Sequence, residues 1–157
     1  MGKKLSLTGL LIAVVDEQGP RPKSWYPNFA SLTHIHNSAV KSFSIMIGDR
    51  SYRERPLCEL TCFGILPFKD MNAVGLIHFF GVPDKKRKEG TRSEMPTTIT
   101  LLFPEGQYTE ICQNSPQIHR FLERENKMFL PFIQDENPDS QNLANIYNAI
   151  KKYLETL

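Results

Sequence analysis

Three runs of this chain, Gly9 to Val15, Ala73 to Val82 and Thr97 to Phe103, carry apolar residues on both of the faces a strand would present. A strand that alternates polar and apolar residues can leave one face in water, whereas a strand that is greasy on both sides has to be covered on both. The chain supplies the cover itself, because three amphipathic stretches with helical spacing surround the strands in the order ββαβββαα. At 157 residues with 40% hydrophobic side chains, it is long enough for one well-filled core and short for two. A single domain over residues 1–157 is therefore expected, of the α/β (α+β) class.

The second strand, Arg21 to Tyr26, follows the turn Asp16-Glu17-Gln18-Gly19-Pro20, in which Gly19 suits a positive φ. Pro20 and Pro22 cannot donate to a ladder, so this arm belongs at a sheet edge. After Pro27, Asn28 reads as an N-cap for a long helix carrying Phe29, Leu32, Ala39, Val40, Phe43 and Ile47, ending at Gly48-Asp49. Leu57 to Leu66 reads as a third strand ended by Pro67, and a tight connection through Lys69 to Asn72 leads to the fourth. A loop from Pro83 to Pro96 precedes the fifth. Ser115-Pro116 reads as a cap and a first-turn proline for a helix through Ile118, Phe121 and Leu122, and Leu143 to Leu157 marks the last helix.

Composition narrows the function classes. Lys+Arg of 19 against Asp+Glu of 17 gives a net charge of only +2, far from the dense positive field of a dedicated nucleic-acid binder, and no nucleic-acid partner is expected. No apolar run approaches the ~18 residues of a membrane span. Gly2 with Ser6 matches the short N-myristoylation pattern, a pattern that recurs by accident. The three cysteines, Cys58, Cys62 and Cys112, form no C-x-x-C pair, which suits a reducing cytoplasm.

The nine glycines form neither a phosphate loop nor a dinucleotide fingerprint, and neither G-x-S-x-G nor H-E-x-x-H occurs. No catalytic residue, cofactor or metal is expected. His34 and His36, two apart on a helix, point to nearly opposite faces and make a poor chelate. His78 on a central strand reads as a satisfied core histidine, and His119 beside Arg120 as a surface residue. An enzyme built on His78 with Cys62 or Cys58 is the least favoured rival.

The hairpin Gly9-Leu10-Leu11-Ile12-Ala13-Val14-Val15-Asp16-Glu17-Gln18-Gly19-Pro20, the aromatic Trp25-Tyr26, and the segments Phe63-Gly64-Ile65-Leu66-Pro67-Phe68 and Gly75-Leu76-Ile77-His78-Phe79-Phe80 resemble longin domains, nearest in pattern to the folliculin and nitrogen-permease-regulator type. The resemblance covers nearly the whole length and lies in the order of elements. It implies a three-layer α-β-α domain whose five-stranded antiparallel sheet has one helix on one face and two on the other. It also implies a non-enzymatic scaffold, part of small-GTPase regulation or a trafficking assembly, that forms a homodimer or a longin/roadblock heterodimer through a strand edge and the first helix. No SNARE segment follows, so a SNARE role is not expected.

In that order the Leu57 strand is the second sheet edge, with little inside it to stop another strand from pairing. Leu57, Glu59, Thr61 and Phe63 are the expected interface residues, joined by Val40 and Phe43 from the helix. The competing reading is that a loop or helix covers this edge within the monomer. The loop from Asp84 to Glu94 holds Lys85, Lys86, Arg87, Lys88 and Arg92 and offers a rival function, peripheral contact with an anionic membrane surface or an acidic partner. Its plainer reading is a solvated hairpin tip, since Asp84, Glu89 and Glu94 dilute the charge.

Overall fold

The computed structural model describes residues 4–46, 62–83, 94–134 and 140–157. Five strands, β1 (Gly9–Asp16), β2 (Gly19–Tyr26), β3 (Cys62–Phe68), β4 (Ala73–Pro83) and β5 (Glu94–Pro104), form one antiparallel sheet in the order β2-β1-β5-β4-β3. The helices are α1 (Leu32–Ser42), α2 (Tyr108–Arg124), α3 (Leu130–Gln134) and α4 (Ser140–Leu154). The two edges are β2, as its prolines implied, and β3, as the longin resemblance implied. The three both-face apolar strands, β1, β5 and β4, occupy the middle.

Alternation along these strands divides the core into two layers. Leu10, Ile12, Val14, Leu76, Phe80, Ile99, Leu101 and Phe103 face the C-terminal helices and pack on Ile111, Ile118, Leu122, Phe129, Tyr147 and Ile150. The opposite residues Leu11 and Ala13 meet Ile35 and Ala39 of α1. Close approach on the α1 side needs missing side chains: a Cβ on Gly75 would lie 2.4 Å from the Phe68 ring, and one on Gly64 2.9 Å from Ile45. An extended segment before β1 completes the helix-side layer. Leu5 and Leu7 are buried, Tyr147 donates to the Leu7 carbonyl at 2.7 Å, and the Gln107 side chain bonds the Ser6 backbone and the Lys4 carbonyl.

The turn between β1 and β2 has Gly19 at φ +96°, and the Asp16 carboxylate accepts from the Gln18 N–H and pairs with Arg21. On β2 the register slips between Ser24 and Pro22, so the proline falls at a bulge on an edge strand, where a missing donor costs little.

Four boundaries differ from the sequence expectation. The first helix is capped by Ser31, whose hydroxyl accepts from the His34 N–H, rather than by Asn28, and it tightens into a 3₁₀ turn at Phe43–Met46. Pro67 lies within β3. The loop between β4 and β5 is shorter than Pro83 to Pro96, since pairing runs out to Pro83 opposite Glu94. Pro96 is tolerated because β1 pairing ends at Val14 opposite Thr97, so beyond that point β5 has no β1 neighbour to lose a bond to.

The fourth difference is in α2, which starts at Tyr108 and carries Pro116 in its interior. A proline there removes the N–H that would bond the Cys112 carbonyl four residues back. The Ser115 hydroxyl takes its place, donating to the Cys112 oxygen at 3.0 Å. Ser115 is thus the repair of a mid-helix break and not a cap. Ser115→Ala should cost about 1–2 kcal/mol in urea unfolding. In a Pro116→Ala background, where the backbone N–H returns, the same change should cost less than half as much, and equal costs would refute the repair.

Candidate functional site: the β3 edge and the histidine pair beneath it

Edge strand β3 pairs only with β4 among the described residues, in the register Phe63 opposite His78, Ile65 opposite Leu76 and Pro67 opposite Val74. Backbone groups along a strand point alternately toward and away from a neighbour. Pro67 has no N–H to give β4, and its carbonyl accepts from the Lys41 ammonium of α1, so Pro67 presents its backbone to the outside. Residues two and four positions back share that parity. Ile65 and Phe63 therefore direct their N–H and C=O groups away from β4, and Phe63 is 39% exposed. Lys41, which also lies 4.9 Å above the Phe68 ring, covers the far end of the edge.

The other expected interface residues are distributed differently. Leu57, Glu59 and Thr61 lie outside the described residues, as does Cys58. Phe43 turns inward, edge-on to Phe79 with ring centroids 6.4 Å apart, and helps close the α1 layer. Val40 is exposed, in an i, i+4, i+8 row with Leu32 and His36. That row is not the flank facing the β3–β4 hairpin, where His34, Ser38 and Lys41 meet Phe68 and Met71 around a cleft of about 280 Å³. Helix flank and strand edge thus do not form one continuous stripe. Lys85, Lys86, Arg87, Lys88 and Arg92 also lie outside the described residues.

Beneath Phe63 is a cluster that the sequence reading only half anticipated. His78 is fully buried on β4, its Nδ1 3.0 Å from Nδ1 of His119 on α2 and its Nε2 3.0 Å from Oδ1 of Asn126. The core-histidine expectation is met in full. His119, expected at the surface, is largely buried instead: its ring lies 4.6 Å from that of Phe63 and its Nε2 3.8 Å from Glu123. The helix phase explains this. Ser115, Ile118 and Leu122 define the inner face of α2, and His119, four after Ser115 and three before Leu122, sits beside it. Its neighbour Arg120 points outward and misleads a linear reading.

Hydrogen-bond roles follow from the partners. The Asn126 oxygen is an acceptor, so His78 donates from Nε2 and offers a lone pair at Nδ1; His119 must then donate from its own Nδ1. Burial pushes the His78 pKa down to about 4, the Asn126 bond opposes this, and the nearby His119 adds to it. Burial lowers His119 as well, with Glu123 pulling the other way. At neutral pH His78 is an uncharged strut between β4, α2 and the Asn126–Phe129 turn. Cys62 lies opposite Phe79 and so belongs to the other face of the sheet, away from His78. The two do not form a dyad.

Asn126→Leu leaves the buried His78 N–H without an acceptor. It should lower stability by about 1–3 kcal/mol at pH 7.5, measured by urea unfolding; a change within ~0.3 kcal/mol would mean that the bond carries no weight.

No protein-family model matches the chain, and no curated protein matches it in sequence. In three dimensions it is similar to the longin domain of K. lactis Lst4, at 14% sequence identity and a TM-score of 0.57, over 91% of this chain and 90% of that one. The chain has the longin fold.

Proposed function

We propose that this chain is a protein-interaction module that adds a strand from a second longin-type or roadblock-type domain to its β3 edge, as a homodimer or a heterodimer. The observation that carries the proposal is the outward backbone of Phe63 and Ile65 beside a half-exposed aromatic ring. N–H and C=O groups on an apolar edge with no further strand beside it among the described residues supply main-chain affinity for an incoming strand, and Phe63 supplies a side-chain contact at its flank. The β2 edge is a poorer template, since Pro20, Pro22 and a bulge interrupt it. Similarity in fold to the Lst4 longin domain supports the same reading.

Mass in solution by light-scattering chromatography tests it. The wild type should be a dimer, alone or with its partner domain, and Phe63→Pro should be monomeric with an unchanged circular dichroism spectrum, because the lost N–H points away from β4. Val40→Glu should leave the dimer intact if the edge suffices. A dimer that survives Phe63→Pro and is lost on Val40→Glu would transfer the interface to the α1 flank.

Within this reading the assembly acts in small-GTPase regulation or trafficking, in the cytoplasm. A panel of purified small GTPases should contain at least one whose nucleotide exchange or hydrolysis rate changes on adding the assembled dimer. Neither binding nor a rate change across the panel would remove the GTPase part and leave the scaffold.

A further inference from the structure

We propose that the His78–His119 pair is a proton-sensitive latch that ties α2 to the sheet beneath the β3 edge and releases it in acid, when the pair takes up its second added proton. Two imidazoles joined Nδ1 to Nδ1 at 3.0 Å have room for one proton between them. With His78 donating from Nε2 to Asn126, the shared proton resides on His119, and a first added proton goes to His119 Nε2, facing the Glu123 carboxylate. This state is compatible: the His119 Nδ1 proton meets the His78 lone pair, and the new Nε2 proton faces the Glu123 carboxylate 3.8 Å away. A second added proton can enter only at His78 Nδ1, where it confronts the N–H of His119, and the contact becomes a repulsion between two cations.

The surroundings give that second charge little relief beyond the Asn126 bond and the more distant Glu123. β3 contributes Phe63 and β5 contributes Ile99 opposite His78, and Phe80 stacks on the His78 ring at 5.3 Å. Glu123 of α2 is the one acidic group recorded against the pair among the described residues, and it faces the outer imidazole. The energetic response must therefore be separation of α2 from β4. Phe63, in contact with His119 and in register with His78, moves with it, so protonation is transmitted to the edge strand.

The sign is fixed by burial. His78 titrates in the folded chain at about 4, below the ordinary 6.5 of an unfolded histidine, so between those values the unfolded chain binds more protons. Stability is complete above pH 6.5 and falls as the pH drops toward 4. From His78 alone the folding equilibrium constant should fall about 30-fold between pH 7.5 and 5.0.

Two measurements on the full chain test the latch, and neither requires that the edge bind a partner. Histidine side-chain NMR of the wild type should show His119 charging first, His78 remaining a neutral Nε2–H tautomer at pH 5, and the Phe63 ring signals shifting with the His78 step. Urea unfolding should show a smaller pH dependence in His119→Gln than in the wild type: burial still holds His78 low, but the second cation is gone, and the Gln amide can donate to neutral His78 or accept from its charged form. Independent titration of His78 near 6.5, Phe63 signals that ignore His78, or equal pH dependence in wild type and His119→Gln would each overturn the proposal. A dimer by light scattering with no latch by NMR would separate the failure of this inference from that of the edge.

Discussion

The fold depends on one non-local ladder, the pairing of β1 with β5. The other strand pairings join neighbours in the sequence through short turns or a hairpin, but Leu10 meets Leu101 and Ile12 meets Ile99 across most of the chain. This ladder joins the N-terminal hairpin to the β3-β4-β5 meander and makes both β1 and β5 interior. Once interior, their two apolar faces need two covers. The chain places α1 on one face and α2, α3 and α4 on the other.

Burying so much sheet confines several polar groups; the Thr100 hydroxyl on β5 has no hydrogen-bond partner among the described residues, and others are satisfied locally. The Ser42 hydroxyl bonds Thr98 at 2.6 Å under α1, Ser115 replaces the N–H that Pro116 lacks, and Tyr147 holds the Leu7 carbonyl. These bonds involve groups that do not titrate near neutrality, so they hold over a wide pH range. The His78 chain is of another kind. Its bonding pattern is complete only for particular proton counts, which makes it both a structural element and a sensor.

The two edges of the sheet are protected unequally. β2 carries prolines and a bulge along its length, whereas among the described residues β3 has Pro67 with Lys41 above it at its C-terminal end. Phe63 and Ile65 remain as a short apolar segment with outward backbone. On the proposed reading, that asymmetry puts the partner on one side of the molecule. It also puts the titrating pair directly behind the surface where a partner would dock, since Phe63 touches His119 and lies opposite His78.

Periodicity alone determined the element order, the interior place of β1, the edge place of the proline-bearing β2 and the core role of His78, because two-face apolarity and missing proline donors have only a few solutions in a sheet. Boundaries near prolines were less legible: Pro116 reads as a start until Ser115 is seen filling the bond it removes, and Pro96 as a loop until the β1–β5 pairing is seen to end at Val14. The inward turn of Phe43, the burial of His119, and the opposite faces of Cys62 and His78 were decided by tertiary structure. A linear pattern gives a side chain's phase within its own element, but what that phase meets depends on how separate elements are docked, and docking is set by contacts between residues far apart in the chain.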